Sequence, residues 1–129
     1  MTLQELNENF QLLKQLNKAR DILDSLKESA IPGSPVLNGL PRAPGYGDSV
    51  GRLAVEIADM RTRVEFLENE VEPKRREIEH YIDSIPDDQV RLIFRLRFLR
   101  GLTWGEVAAI IGGGNTEGSV KKICYRYLS

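Results

Sequence analysis

Between Val50 and Ile85 the chain sets an apolar residue every three or four positions: Val50, Leu53, Ile57, Met60, Val64, Leu67, Val71, Lys74, Ile78, Tyr81 and Ile85. Only Lys74 breaks the chemistry, and nothing breaks the phase. At about 3.6 residues per turn, such a series lays one apolar stripe along one side of a helix, and the stripe needs a partner helix. Pro73 lies inside the series. It removes one backbone donor and is expected to kink the helix, at a cost of about 3 kcal/mol in an ordinary interior. Because the phase survives on both sides, one kinked continuous helix is favoured over two. The partner is either residues 3–30 of the same chain or a second copy meeting it through residues 50–85, and the pattern suits both.

Residues 3–30 also read as one helix. Leu3, Leu6, Phe10 and Leu13 form one apolar series, and Leu12, Leu16, Ala19, Leu23, Leu26 and Ala30 another, offset by a one-residue slip. No glycine or proline interrupts it. Residues 31–47, "IPGSPVLNGLPRAPGYG", hold four of the six prolines and four glycines, which reads as a linker. It is long enough for the two helices to fold back on each other. The expected organisation is therefore a helical hairpin or coiled coil over 1–85, with the linker at 31–47, followed by a second unit over 86–129.

Composition narrows the class. The chain is 41% hydrophobic and 29% charged, so a packed core is feasible, and only 7% aromatic, which favours helices. No apolar run approaches the length of about 18–20 residues that spans a bilayer, and the first ten residues lack the features of a secretory signal. The single Cys124 forms no internal disulfide, which fits a reducing cytoplasm. The formal charge of −1 conceals an asymmetry. Residues 48–85 carry six Lys/Arg against ten Asp/Glu, net −4, whereas residues 91–129 carry seven against two, net +5. A basic segment behind an acidic one suits a small nucleic-acid-binding unit joined to a non-binding segment.

Pro86, Asp87 and Asp88 start a further helix with acidic groups at its positive end, and Gly101 stops it. Thr103 and Glu106 have capping-box spacing. Next, Val107 precedes the small Ala108, Ile111 precedes Gly112, and Val120 and Ile123 stand three apart, as the two crossing helices of a helix-turn-helix require. The turn must then be two residues longer than usual. The triplet Gly112–Gly113–Gly114 accommodates it because glycine accepts dihedrals that other residues resist, and Asn115 and Thr116 are expected to cap the second helix.

Helical geometry turns Val120, Ile123, Cys124 and Tyr127 inward and leaves Gly118, Lys121, Lys122, Tyr125 and Arg126 on the opposite or flanking sides. A small residue near the start of that face allows close approach to a duplex, and the cations suit phosphates or base edges in the major groove. Arg91 and Arg95, four apart on the preceding helix, are candidates for further phosphate contacts. Trp104 is expected in the core. "GGGNTEGS" lacks the Gly-Lys-Ser/Thr of a nucleotide-binding loop and follows no strand. His80 reads as a solvated surface residue, and Cys124 as a packing residue. The glutamates of 65–79 read as helix-surface ion pairs, so neither catalysis nor a metal or cofactor is expected.

Residues 84–128, "SIPDDQVRLIFRLRFLRGLTWGEVAAIIGGGNTEGSVKKICYRYL", resemble the DNA-binding region four of bacterial sigma factors. The shared features are a proline followed by a helix ending in aromatic-Leu-Arg-Gly, then "LTWGEVA", then "SV" followed by "RYL". The layout is similar to ArpU-type phage and prophage regulators, which join such a region to a helical segment and are associated with phage late genes. The longer turn departs from the sigma-factor pattern.

Together these features lead to an all-α expectation: an N-terminal antiparallel hairpin and a C-terminal helix-turn-helix. The expected function is sequence-specific double-stranded DNA binding in transcription regulation, of phage or prophage origin. Asn115, Thr116, Gly118, Lys121, Lys122, Tyr125, Arg126, Arg91 and Arg95 are the candidate DNA contacts. RNA polymerase is a further candidate partner, and a homodimer would place two recognition helices about 34 Å apart. A protein-interaction module and a phage DNA-packaging recognition protein are the alternatives.

Overall fold

The computed structural model describes residues 1–30 and 46–129, and among these every regular element is helical. Helix α1 spans Leu3–Ser29 and α2 spans Tyr46–Asp83. Helix α3, Asp88–Phe94, runs directly into a π-wound turn at Arg95–Leu99. Two shorter helices follow, α4 at Trp104–Ile111 and α5 at Glu117–Leu128. The expected linker lies outside the described residues, apart from its last two positions, which already belong to α2.

Helix α2 continues through Pro73, as the unbroken phase implied. Its stripe meets α1 in antiparallel fashion. Leu13, Leu16, Ala19 and Leu23 bury against Val64, Leu67 and Val71, with Met60 and Ile57 at the far end. The Arg20–Glu68 ion pair, 3.3 Å apart, joins the flanks of this seam. From Val64 to Ile78 the apolar stripe is therefore covered within one chain. A homodimer through that stretch would have to displace α1.

Helix α1 begins with a capping box the sequence reading had not singled out. The Thr2 hydroxyl accepts from the Glu5 backbone N–H, and the Glu5 carboxylate accepts from the Thr2 N–H. Helix α3 starts where its acidic signal stands: the Asp87 carboxylate accepts from the Val90 N–H at 2.9 Å.

The end of α3 is less ordinary. The Arg100 N–H donates to the Arg95 carbonyl, five residues back, and the Leu102 N–H reaches the Leu96 carbonyl at 3.1 Å. That closure is one residue wider than the usual glycine-terminated helix end, because the turn before it is π-wound. Gly101 makes it possible with a φ of +73°. A side chain there would meet the Asn17 amide at 2.8 Å and the Leu13 Cβ at 3.3 Å. Two helix-end carbonyls turn to α1 for partners. The Asn9 amide donates to the Phe98 carbonyl at 3.4 Å, and the Asn17 amide to the Arg100 carbonyl at 3.1 Å.

One apolar core extends from the hairpin into the C-terminal helices. Leu6 and Phe10 of α1, and Ile78 and Ile82 of α2, pack with Ile85, Ile93, Phe94, Phe98, Trp104, Val107, Ala108, Val120 and Cys124. The change in sequence character near residue 86 is not a gap in packing.

Candidate nucleic-acid interface

Helix α4 begins with the expected capping box. The Thr103 hydroxyl accepts from the Glu106 N–H at 3.2 Å, and the Glu106 carboxylate accepts from the Thr103 N–H. Val107 and Ala108 face inward, and the small Ala108 leaves room for α5 to cross nearby. Five residues, 112–116, separate the helices. Gly112, Gly113 and Gly114 have φ values of +67°, +63° and +79°, the left-handed region that L side chains resist. Three such residues in a row explain the triplet.

Asn115 and Thr116 divide the work that the sequence reading had assigned to them jointly. Thr116 alone is the N-cap: its hydroxyl accepts from the Ser119 N–H, and the Ser119 hydroxyl accepts from the Thr116 N–H. Asn115 braces the turn instead. Its amide donates to the Gly112 carbonyl at 2.8 Å, and its own backbone N–H reaches the same oxygen at 3.1 Å. The Asn115 side-chain oxygen lies 3.2 Å from the Ser119 hydroxyl.

Val120 and Cys124 are fully buried and Ile123 partly so, which fixes the rotation of α5. Tyr127, expected inward, stays more exposed because it sits on the last turn at the margin of the core. Its ring meets Phe94 edge-on at 5.5 Å. Gly118, Lys121, Lys122, Tyr125 and Arg126 all lie on the exposed side. Among the described residues, Lys121, Lys122 and Arg126 form no ion pair, as is also true of Lys14, Lys18, Arg61 and Arg63 on the hairpin; what sets the three apart is that they share the exposed side of one short helix with no paired carboxylate.

Arg91 and Arg95 are less available. Arg91 is partly buried, donates to the Ile85 carbonyl at 2.8 Å and pairs with Asp88. Arg95 pairs with Asp83 at 2.7 Å. Arg95 thus ties the C-terminal unit to the last residue of α2 and Arg91 to the connection that follows it, and a phosphate would have to compete for both.

Arg97, absent from the expected set, turns inward. Its guanidinium carbon stands over the Phe10 ring at 3.5 Å and over the Trp104 ring at 4.4 Å, and it donates to the Leu102 carbonyl at 3.1 Å. Burial draws its pKa below the ordinary value, with nearby Tyr125, Cys124 and Glu117 opposing the shift. A signal for it existed: Arg97 lies between Ile93, Phe94 and Phe98, all inward-facing residues of the same segment. Trp104 is buried as expected, meeting Phe98 and Tyr125 edge-on.

No group of three or more His, Cys, Asp or Glu side chains able to hold a metal ion occurs among the described residues. No described helix is long and apolar enough to cross a membrane. No protein-family model, curated protein or solved structure matches the chain.

Proposed function

We propose that α4, the glycine turn and α5 form a helix-turn-helix, and that the chain is a sequence-specific double-stranded DNA-binding transcription regulator. The observation that carries this is the outer face of α5: three exposed cations without an internal carboxylate partner, on a helix held rigidly from behind by Val120 and Cys124. A rod of this kind fits the major groove, where lysine and arginine meet phosphates and guanine edges. Gly118 keeps the start of the face low, and Tyr125 adds a polar-tipped ring. Asn115 and Thr116 set the angle at which α5 leaves the turn, and Arg91 and Arg95 serve as secondary phosphate contacts once released from Asp88 and Asp83. The action is binding, with no covalent chemistry, in the cytoplasm. The resemblance to sigma region four and to ArpU-type proteins supports a phage or prophage setting, with RNA polymerase as a further partner.

Titrating a labelled pool of random-sequence duplexes at several salt concentrations tests this. Saturable binding with a steep salt dependence is expected. The triple variant Lys121→Ala, Lys122→Ala, Arg126→Ala should flatten the log–log slope by about three, roughly one per lost phosphate contact. An unchanged slope and affinity in that variant removes α5 from the interface.

One observation favours a second reading, a protein-interaction module. Val55 and Phe66 of α2 are 61% and 51% exposed, and Ile22 of α1 is also uncovered. Such a module would leave the duplex pool unbound and engage a partner or a second copy through the hairpin.

A further inference from the structure

The side chains on the outer face of α5 are not isolated from the rest of the molecule. The Lys121 ammonium stands 5.8 Å from the centre of the Tyr125 ring. Tyr125 meets Trp104 edge-on, with centroids 6.3 Å apart and planes at 88°. Arg97 stands over Trp104, and over Phe10 of α1 as well. Cation, ring, ring, cation and ring thus succeed one another from the exposed face of α5 to the first helix of the hairpin. The two ends lie more than a hundred residues apart in sequence.

We infer that Arg97, held by Phe10, is a positioning residue for DNA binding. It acts through Trp104 to hold the Tyr125 ring, and with it the Lys121 ammonium, in the orientation that meets the duplex.

Tyr125 and Lys121 are exposed side chains on α5, and an exposed long side chain loses rotamer freedom when it is fixed against a ligand. A side chain already held by a neighbour loses less. Edge-to-face ring pairs and cation–π contacts each contribute modestly, but here they run in series from a buried anchor. Arg97 is the point at which the series enters the core. Its guanidinium carbon stands within 4.4 Å of the centres of rings on two different helices while one N–H is held by the Leu102 carbonyl. Arg97 packs on Trp104 of α4 and Phe10 lies on α1, so neither has to touch DNA. The hairpin then affects affinity without being part of the interface. This rests on the DNA-binding assignment of α5 and adds to it the residues that prepare that face.

A double-mutant cycle tests the coupling. Affinity for the random-duplex pool is measured for the full-length chain and for Arg97→Met, Tyr125→Leu and the double variant, with far-UV circular dichroism confirming that each is folded. Phe10→Leu replaces Arg97→Met should the latter fail to fold. Arg97→Met is expected to weaken binding about two- to fivefold, the scale of one cation–π contact. In the Tyr125→Leu background the same change should have no further effect, because its route to the duplex is already cut. Trp104 is the only tryptophan, and its emission should shift on saturation with duplex in the wild type but not in Tyr125→Leu. Additive losses in the cycle, or a Trp104 emission indifferent to duplex, overturn the positioning role while leaving DNA binding by α5 intact. A wild-type chain that shows no saturable duplex binding overturns both.

Discussion

Cys124 shows what burial does to a single side chain here. It lies on the inner side of α5 with no exposed surface, and burial pushes its thiol up from 9.0 to about 12, with Arg97 pulling weakly the other way. The folded state therefore holds this proton more tightly than the unfolded chain does. The resulting stability is fully present below pH 9 and is lost as the pH climbs from about 9 towards 12. Tyr81, raised mainly by burial, acts in the same direction. At pH 8, iodoacetamide should label Cys124 at least about tenfold more slowly in the native chain than in urea, since only the exposed thiolate reacts. Equal rates in both states would mean that α5 does not pack as described. The packing role of Cys124 was legible from its helical phase. Arg97 left only a phase signal, its place on the face of Ile93, Phe94 and Phe98, which its charge overrode: a charged residue is read as solvated unless its partners are known, and Phe10 lies 87 positions away in the chain.

The elements that position the candidate site are mostly punctuated by local chemistry, so their limits could be read directly. Asp87 lies where α3 begins, Gly101 just past the π-wound turn that continues it, and the Thr103–Glu106 box where α4 begins. The glycine triplet also behaves as the turn logic requires. At Gly113 a Cβ would have nothing within 4 Å, so the cost of a side chain there is backbone strain alone. Gly113→Ala is expected to destabilise by about 1–2 kcal/mol, read as a shift in urea midpoint at unchanged slope. A neutral outcome would indicate that the turn does not hold its left-handed dihedrals. Two local features escaped the sequence reading. The π-wound turn at Arg95–Leu99 has no residue signature of its own and is coupled to Asn9 and Asn17 on a distant helix. The paired hydrogen bonds of Thr116 and Ser119 use a serine where a glutamate or glutamine is the familiar sign.

At the scale of the whole molecule, the hairpin and the C-terminal helices share a core, which neither apolar series discloses by itself. The heptad stripe showed that α2 needed a partner, and both α1 and a second copy suited it. Leu6 and Phe10 settle against Ile78, Ile82 and the C-terminal aromatics because the ends of the hairpin return to the same place. Replacing Phe10 with Ala should therefore destabilise the chain as a unit, by about 3–5 kcal/mol. Trp104 fluorescence, reporting on the C-terminal core, and far-UV circular dichroism, dominated by α1 and α2, should lose their signals in coincident transitions. Two separated transitions would mean that the hairpin and the C-terminal helices fold independently. The boundary expected near residue 86 is thus one of charge and composition, across which packing continues.

Whether α5 is the surface that meets DNA can be observed directly by following backbone amide resonances of the isotopically labelled chain as random-sequence duplex is added. The expected result is that shifts concentrate at Thr116, Gly118, Lys121, Lys122, Tyr125 and Arg126, with the exposed side of α2 unmoved. Shifts confined to α2, or none at saturating duplex and low salt, would contradict it.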